Sequence, residues 1–346
     1  MKTANRKKKL KGEAMAMEKQ SKIKILFLSA ACCLMAASSY AAFEDLGVGA
    51  RPLGMGNAFC AISDDANAFL YNPAGLTQIK RIEVSAMYAN LYPGLSDKSS
   101  VINNYLAVAY PSQIGTVGFS WFGLTVGSDP ARSNVTYSEN TCIFSYARYV
   151  KILSLGASLK IHTKDYGSSY WTASNPTFAQ GSSVSGVGID VGALYKILDE
   201  RLSIGLFLSD INSPDLSLET TSPIPMTVRM GVGYRVLPVG ELKNIIAAAD
   251  LSIRDLDVKF HTGIEGWLAE RNIGIRFGLG LGTNNYTSLS VGASYKLIEE
   301  VYDNDFRLDY AFMYPLSGLQ PTGGTHRFSL TMGFGLNAAT EEKETE

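Results

Sequence analysis

Strict alternation of apolar and polar residues dominates the chain beyond about residue 80. In NIGIRFGLGLGT, residues 272–283, an apolar side chain occupies every second position of the central run, with glycine or arginine between. The stretches YTSLSVGASYKLI (286–298) and HRFSLTMGFGL (326–336) repeat the pattern. A period of two places successive side chains on opposite faces, so these segments are predicted to be long β-strands.

Strand number and length separate two all-β architectures. A soluble sandwich uses strands of about 5–6 residues, whereas a tilted membrane-spanning strand needs about 9–11. The alternating segments here are mostly of the longer kind, and their number is even, as in a closed bacterial barrel. The fourteen predicted strands lie near residues 81–90, 101–110, 115–126, 138–149, 152–163, 184–197, 201–210, 225–236, 244–253, 258–268, 272–282, 286–297, 305–314 and 325–336.

The connections give a second indication of a membrane barrel. Long connections such as KDYGSSYWTASNPTFAQGSS and INSPDLSLETTSP follow odd-numbered strands, whereas tight ones such as PSQI and LDE follow even-numbered strands. There are exceptions: RDLD and TNN are tight although they follow odd-numbered strands, and IEEVYDN is long although it follows an even-numbered strand. Long loops on one rim and short turns on the other are typical of outer-membrane barrels. The predicted fold is therefore all-β: a closed antiparallel transmembrane β-barrel of about 14 strands, over residues 81–337.

Tyrosine usage fits that fold. The chain has 18 Tyr, 15 Phe and 3 Trp, and only 18% charged residues. A tyrosine ring suits a membrane interface because one end is apolar and the other polar, although β-propensity alone also enriches tyrosine in strands. Tyrosines predicted near strand ends are Tyr88, Tyr110, Tyr149, Tyr195, Tyr234, Tyr295 and Tyr314.

The two ends of the chain are predicted to lie outside the barrel. Residues 1–41 combine a basic lead, an apolar run and small residues, with Ser39-Tyr40-Ala41 as a cleavage site, and so resemble a secretory signal peptide. Its apolar run is shorter than the ~20 residues of a membrane-spanning helix. Without this segment 22 basic and 30 acidic residues remain, a balance that argues against a nucleic-acid partner. Residues 338–346 form an acidic C-terminal tail.

Two cysteines, Cys60 and Cys142, remain after the signal peptide. A disulfide is possible in an oxidising compartment, but two separate buried thiols are the favoured interpretation. Neither cysteine belongs to a CxxC pair, so no zinc or redox motif is present.

The densest motif is NAFCAISDDANAFLYNPAGL, residues 57–76. Adjacent acids on a helix point about 100° apart, so Asp64 and Asp65 make a poor catalytic pair. We expect Ser63 to cap a short helix whose first turn holds both acids, and Asn72 to cap a second turn with Pro73 at its first position. Asp64 or Asp65 is also a candidate partner for Arg51 or for an arginine of the barrel interior.

No motif for catalysis or cofactor binding was found. GVGARPLGMG lacks the third glycine of a dinucleotide fingerprint, since Pro52 occupies that place; its glycines are better explained by close passage along a wall. His162, His261 and His326 fall on the polar sides of different strands, and neither a nucleophile elbow nor HExxH occurs. The prediction is a non-enzyme with no metal and no cofactor.

Charges of both signs are predicted to face the barrel lumen. They either pair with one another and with a plug, which mixed signs favour, or line a selective polar pore. The residues are Asp190, Lys196, Arg229, Arg235, Asp250, Arg254, Lys259, Glu265, Arg276, Lys296, Arg307, Asp309 and Arg327.

A family resemblance rests on the N-terminal motifs. GVGARPLGMGNAFCAISDDANAFLYNPAGL after a signal peptide, followed by a long barrel ending in THRFSLTMGFGL, resembles the PorV/PorQ proteins and the wider FadL-like outer-membrane family. The resemblance implies a fourteen-stranded barrel whose N-terminal segment, residues 42–80, folds inside the lumen as a hatch. It also implies location in the bacterial outer membrane, in contact with lipid.

Two functions follow from this resemblance. In FadL-like transporters the hatch gates passive uptake of hydrophobic molecules, which would assign the gate to Asn72, Pro73 and Ala74, with Arg51, Asn57, Asp64 and Asp65 beside them. In PorV-type members the barrel is an accessory of type IX secretion that receives exported proteins, for which the loops at 164–183 and 211–223 are candidates. A structural barrel with a closed plug is the third alternative.

Overall fold

A computed structural model describes residues 43–127, 136–167, 170–178, 181–219, 221–268, 272–299, 304–318 and 322–335. The predicted signal peptide, residues 1–41, and the predicted acidic tail, residues 338–346, lie outside the described residues. Within the described part of the chain no helix is long and apolar enough to cross a membrane.

Fourteen long strands make up most of the described chain, each within a few residues of its predicted position. They are β1 Ile82–Leu91, β2 Ser100–Ser112, β3 Gly115–Gly127, β4 Thr136–Val150, β5 Leu153–Asp165, β6 Ser183–Ile197, β7 Leu202–Ser209, β8 Thr227–Val236, β9 Lys243–Arg254, β10 Asp257–Leu268, β11 Ile273–Gly282, β12 Tyr286–Glu299, β13 Asn304–Pro315 and β14 Thr325–Phe334.

The strands form one closed antiparallel barrel. Each pairs with its neighbours in sequence, and β1 pairs with β14 from Ile82–Phe334 to Leu91–Thr325. Because the barrel is closed, no sheet edge has unpaired backbone groups. A strand inside a membrane needs this pairing, since no water is present to bind its backbone groups. The predicted closed barrel of fourteen strands is confirmed.

The two faces of the wall differ as the alternation predicted. On β11, Ile273, Ile275 and Phe277 are exposed on the outer face, whereas Gly274 and Arg276 between them are buried on the inner face. Most of the predicted interfacial tyrosines are also exposed on the outer face, while Tyr195 and Tyr314 are half-buried. An apolar exterior and a small or charged interior are the arrangement of a membrane barrel.

The connections divide the barrel into two rims. The loop rim carries the long connections after β1, β3, β5, β7 and β13, and the turn rim carries those after the even-numbered strands. The tight turns predicted after β9 and β11 are present, with left-handed backbone at Asp255 and at Asn284 and Asn285. A short helix α3 (Tyr170–Ser174) and a 3-10 turn (Pro176–Phe178) lie in the β5–β6 loop.

Residues 43–79, here the N-terminal segment, precede the barrel and contain little regular structure. They form α1 (Ala50–Gly54), α2 (Ala68–Tyr71) and a 3-10 turn (Pro73–Gln78). Phe59, Phe69 and Tyr71 are fully buried and belong to a cluster that includes Met87 of β1 and Tyr105 of β2. The main apolar core therefore lies between the segment and the inner wall.

The outer face predicts a depth-dependent response to charge. Phe277→Arg, near the middle of β11, should lower the free energy of unfolding in lipid vesicles by about 2–4 kcal/mol, because the guanidinium must enter hydrocarbon. Ile273→Arg, at the strand end, is the matched control and should cost about 0–1 kcal/mol. Urea titration of the refolded protein measures both, and equal costs would contradict a lipid-facing outer surface.

Candidate functional site

The N-terminal segment touches the inner face of the barrel at widely separated strands. Its backbone donates to Glu139 of β4 from Phe43 (2.9 Å), to Asp250 of β9 from Phe59 (2.8 Å), and to Ser329 of β14 from Ala50 (2.8 Å). The wall supplies the acceptors because its inward side chains are polar. Contacts on opposite sides of a closed barrel hold the segment at many points at once.

Glycines of the inner wall make room for this segment. A Cβ at Gly156 of β5 would overlap the backbone of Pro73 and Ala74, and one at Gly278 of β11 would overlap that of Met55 and Gly56. Further inward glycines at equally close approaches are Gly192, Gly205, Gly231 and Gly263. The expected close passage of a glycine-containing chain along a wall is confirmed, with glycine on both surfaces.

Asn72 caps a turn and also joins the segment to the wall. Its side-chain oxygen accepts from the Ala74 N–H (3.1 Å), and Pro73 occupies the first position of the 3-10 turn, as predicted. Its amide nitrogen donates to the carbonyls of Cys60 (3.1 Å) and of Ala193 on β6 (3.0 Å). These three hydrogen bonds of the buried Asn72 side chain fix the Asn-Pro-Ala step.

The predicted cap at Ser63 is wrong. No helix begins there; the Ser63 hydroxyl donates back to the Phe59 carbonyl (2.6 Å), and Asp65 accepts from the backbone and side chain of Asn67 (3.0 and 2.8 Å). Sequence alone favoured a helix dipole as the partner of the two acids. Arginines distant along the chain bind the two acids more strongly than a helix dipole would. The stretch therefore forms turns rather than a helix.

Arg51 is the centre of a buried ion-pair network. Its guanidinium binds Glu265 of β10 through two nitrogens, at 2.8 and 3.0 Å, and Asp65 through a third contact at 3.0 Å. Asp64 completes its set of carboxylate partners. The expected pairing of the two acids with Arg51 is therefore present, and the fork geometry of arginine allows the two-point contact with Glu265.

The network continues around the wall. Arg276 of β11 contacts Glu265 at 2.5 Å and Asp309 of β13 at 3.2 Å. Arg307 of β13 bridges Asp309 and Asp65, each at 2.8 Å. Glu265, Asp309 and Asp65 each have two cationic neighbours. Buried charges are tolerated when they are paired in this way.

This environment alters the ionisation of Asp65. Burial opposes its negative charge, but the nearby Arg307 and Arg51 guanidinium groups outweigh burial and lower its pKa to about 2. Asp45 behaves similarly: burial is outweighed by Arg229, Lys259, His261 and Arg254, and its pKa falls to about 2. Both acids therefore stay ionised over the whole physiological range.

Residues 43–46 are anchored near the loop rim by a second set of charges, which sequence reasoning missed. Glu44 contacts Arg254 (2.9 Å) and Lys259 (2.6 Å), and Asp45 pairs with Arg229. The Leu46 carbonyl accepts from Arg327 at 2.5 Å. The available signal was the position of two acids shortly after the predicted cleavage site.

The three histidines lie on different strands, but the prediction that all three face the polar side is wrong for His326, which lies on the outer face with Phe328. His162 contacts Asp210 (2.8 Å) beside Lys160, which bridges Asp190 (2.9 Å) and Asp210 (3.2 Å). His261 lies 2.7 Å from the Gly56 carbonyl, and His326 lies 3.0 Å from the Tyr310 hydroxyl. Among the described residues, no three His, Cys, Asp or Glu side chains are grouped as metal ligands.

Other predicted positions vary in burial. Asp190, Arg229, Asp250, Arg254, Glu265, Arg276, Asp309 and Arg327 are buried, and Lys196, Lys259, Lys296 and Arg307 are half-buried. Arg235 differs, because it is exposed near the end of β8 at the turn rim.

Cys60 and Cys142 are separate free thiols, with Cys142 half-buried rather than buried. Asn57 accepts from the Tyr71 hydroxyl at 2.9 Å, with left-handed backbone.

Cavities border the segment near both rims of the barrel, and one at each rim is described here. The cavity near the loop rim has a volume of about 70 Å³, with Phe43, His162, Asp210 and Arg229 in its lining. The cavity at the turn rim has a volume of about 390 Å³, with Arg51, Asp65, Arg235 and Arg307 in its lining. The two cavities share no lining residue, and buried parts of the segment separate them.

Comparison with protein families identifies relatives of the whole barrel. The family model of the type IX secretion system membrane protein PorP/SprF matches residues 65–332. No curated protein sequence matches the chain. The expected link to type IX secretion is thus confirmed at the level of a family, while the narrower PorV/PorQ assignment stays a prediction.

Solved structures share the fold at low sequence identity. The CymD monoaromatic hydrocarbon channel is 14% identical, with a TM-score of 0.58 over 85% of this chain and 98% of that one. The Pseudomonas putida toluene transporter TodX is 13% identical, with a TM-score of 0.53 over 83% and 97%. A Pseudomonas aeruginosa FadL homologue is 14% identical, with a TM-score of 0.51 over 83% and 98%. The expected likeness in fold to FadL-like barrels is confirmed, and so is the outer-membrane location.

Removal of Arg51 tests the central network. Arg51→Ala should lower the free energy of unfolding by about 3–5 kcal/mol, because it removes one of the two guanidinium partners of Asp65 and of Glu265 while both carboxylates stay buried. Lys196→Ala is the control, since its partner Glu200 is 75% exposed and such a pair contributes about 1 kcal/mol or less. Chemical unfolding in detergent measures the difference, and a cost for Arg51→Ala no larger than the control's would refute a stabilising network.

The pKa values of Asp45 and Asp65, both about 2, predict loss of stability in acid. Because the folded pKa lies below the unfolded value of about 3.9, the contribution is complete above about pH 4 and disappears as pH falls toward 2. Asp65→Asn should flatten the slope of stability against pH in this window, whereas Asp199→Asn in an exposed turn should leave it unchanged. Unfolding titrations from pH 6 to pH 2 provide the measurement; an unaltered slope in Asp65→Asn would argue against the assignment.

Proposed function

Since the chain belongs to the PorP/SprF family of type IX secretion system membrane proteins, we propose that it is a closed outer-membrane barrel that docks secreted proteins at its loop rim. In this proposal residues 43–79 are a hatch that stays seated, and the barrel serves as an anchor rather than as a conduit. The loop rim faces the cell exterior, as long barrel loops generally do.

The contacts that hold residues 43–79 against the inner wall are the observation that carries the proposal. The two cavities beside the hatch share no lining residue, and the Arg51–Glu265 and Arg307–Asp65 contacts bind the hatch to the wall between them. An open path would require these buried pairs to separate, at a cost of several kcal/mol for each uncompensated charge. A closed resting barrel is the favoured state.

The loop rim offers a structured surface for docking. We define the docking surface as the predicted loops 164–183 and 211–223. The first loop is ordered by a ladder of rings, with Tyr166 between Tyr137 (5.4 Å) and Phe178 (5.3 Å). Thr177 of the first loop donates to Glu219 of the second at 3.0 Å, so the two loops meet. Loops held by a rigid scaffold commonly carry binding functions.

Passive transport of a hydrophobic or small solute, with Asn72, Pro73 and Ala74 as the gate, is the second candidate. It is favoured by the likeness in fold to a toluene transporter and a monoaromatic hydrocarbon channel. In this alternative the 3-10 turn Pro73–Gln78 would leave its seat at Gly156 and Gly192 and open a path. The neutral hydrogen bonds of Asn72 are individually weaker than the buried ion pairs, so this turn is the most mobile candidate in the hatch.

Site-specific crosslinking tests the docking proposal. A photo-crosslinking residue at Asn175 or Ser213, both exposed on the docking surface, should capture a secreted protein on intact cells. The adduct should be accessible to added protease, because the partner is held outside. Leu237 at the turn rim is 61% exposed and serves as the matched control, from which no surface-exposed adduct is expected. Adducts to lipid alone from Asn175 and Ser213 would overturn docking.

Proteoliposomes separate docking from transport. Under the docking proposal, vesicles containing the wild-type barrel and the Pro73→Ala variant should have the same low permeability to toluene-sized and small polar solutes, because the buried pairs keep the hatch seated. Entry of either solute through the wild-type barrel, altered by Pro73→Ala, would instead establish gated transport.

A further inference from the structure

The outer face of β2–β6 changes from apolar to polar between two adjacent rows of residues. The members of a row face one another across neighbouring strands in the pairing register. The row nearer the turn rim consists of Leu106, Trp121, Cys142, Ile161 and Val187. The next row toward the loop rim, here the polar row, consists of Asn104, Gly123, Asn140, Thr163 and Ser185.

The polar row lies beyond the lipid-facing surface of these strands. Below it, Phe144 and Leu159 are exposed on the outer face. Strands β2–β6 have 13 to 15 residues, more than the ~9–11 that cross a membrane. On β11, at the opposite side of the barrel, the outward side chains stay apolar up to Leu281, next to the last residue of the strand. The wall formed by β2–β6 therefore extends past the hydrocarbon layer at the loop rim.

Trp121 reaches from the apolar row into the polar row. Its indole N–H donates to Oδ1 of Asn140 at 3.2 Å. A Cβ at Gly123 would lie 2.5 Å from Cζ2 of the indole, so the glycine leaves the space that the ring occupies. The Trp121 side chain is half-buried. It thus presents part of an aromatic surface on the outer face, held in place by Asn140.

Hydrogen-bonding groups surround this ring, with very little charge. The Thr163 and Ser185 hydroxyls lie 3.0 Å apart, and each retains further capacity for hydrogen bonds. Asp165 is the one charged residue in the row above, and its carboxylate accepts from the Gly167 N–H at 2.6 Å. The other members of that row are Ile102, Thr125, Ser138 and Ser183.

Uncharged amides and hydroxyls beside an indole ring match the chemistry of a sugar. Sugar hydroxyls exchange hydrogen bonds with such side chains, and the C–H face of a sugar ring packs on an aromatic ring. A phosphate group would instead favour arginine or lysine. The polar row also continues the lipid-facing surface directly, so a lipid whose acyl chains lie on Phe144 and Leu159 brings its headgroup to Asn140.

We propose that the polar row and Trp121 bind the sugar headgroup of a glycolipid in the outer leaflet of the outer membrane. This assignment rests on the proposed outward orientation of the loop rim and holds whether the barrel docks proteins or transports solutes. Because β5 and β6 end in the loop 164–183, the bound sugar lies beside the docking surface.

Native mass spectrometry of the full barrel in detergent tests the site. The probes are diglucosyl diacylglycerol and phosphatidylglycerol with the same acyl chains, so that only the headgroups differ. The wild-type barrel should bind the sugar lipid about tenfold more tightly, as expected from a few additional hydrogen bonds. Equal retention of the two lipids, or tighter retention of phosphatidylglycerol, would overturn the proposal.

Three variants locate the selectivity. Trp121→Leu should abolish it, and Thr163→Val, which removes one hydroxyl without changing the shape of the side chain, should reduce it. Tyr234→Leu is the matched control, because Tyr234 is an aromatic residue on the outer face of β8 near the turn rim, 44% exposed; it should bind as the wild type does. Undiminished selectivity in Trp121→Leu, or an equal loss in Tyr234→Leu, would refute the site. A failure of Asn175 and Ser213 to capture a protein would refute docking alone and leave this selectivity unchanged.

Discussion

Neutralisation of charge inside a closed barrel is the constraint on which this structure depends. The strands alone bring Arg229, Asp250, Glu265, Arg276 and Arg327 to the inner face, where all are buried. An isolated buried charge costs many kcal/mol, whereas a hydrogen-bonded pair is tolerable. The N-terminal segment supplies further partners: Arg51 for Glu265, Asp45 for Arg229, and backbone N–H groups for Asp250. Neither the strands nor the segment has a satisfied set of charges without the other.

The shape of the barrel interior also depends on the wall and the N-terminal segment together. The segment has little regular structure of its own, and its conformation is held by the wall: glycines of β5, β6, β10 and β11 leave the space into which its backbone fits. Because the inner position of a membrane strand has no need for hydrophobicity, it can carry glycine at one place and arginine at the next. The alternation that builds the barrel therefore also permits an interior tailored to one inserted chain.

The barrel could be predicted from sequence because its cause is local. A period of two, turn residues and strand length determine which side chains face outward, and fourteen strands emerged close to their observed bounds. The Asn72-Pro73 turn was predictable for the same reason. The arginine partners of Asp65 could not be singled out from the sequence, because Arg51 and Arg307 lie 14 and 242 positions away from it. The Ser63 cap failed because a local signal competed with such distant charges, and Glu44 and Asp45 were missed because nothing local reveals their partners.

The distribution of these contacts indicates where any movement of the segment would begin. Asp65 and Glu265 have 3% or less of their side chains exposed, whereas Glu44 has 40% and Asp45 has 29%. A half-exposed acid is partly screened by water, whereas a pair in which both partners are buried resists separation more strongly. The loop-rim anchors are therefore the weaker ones, and the Arg51 network is the stronger. A protein bound at the loop rim would act on the weak anchors first, while the strong network continued to hold the barrel closed toward the turn rim. Under the docking proposal, such an interior would respond to a partner outside the cell without opening a path through the membrane.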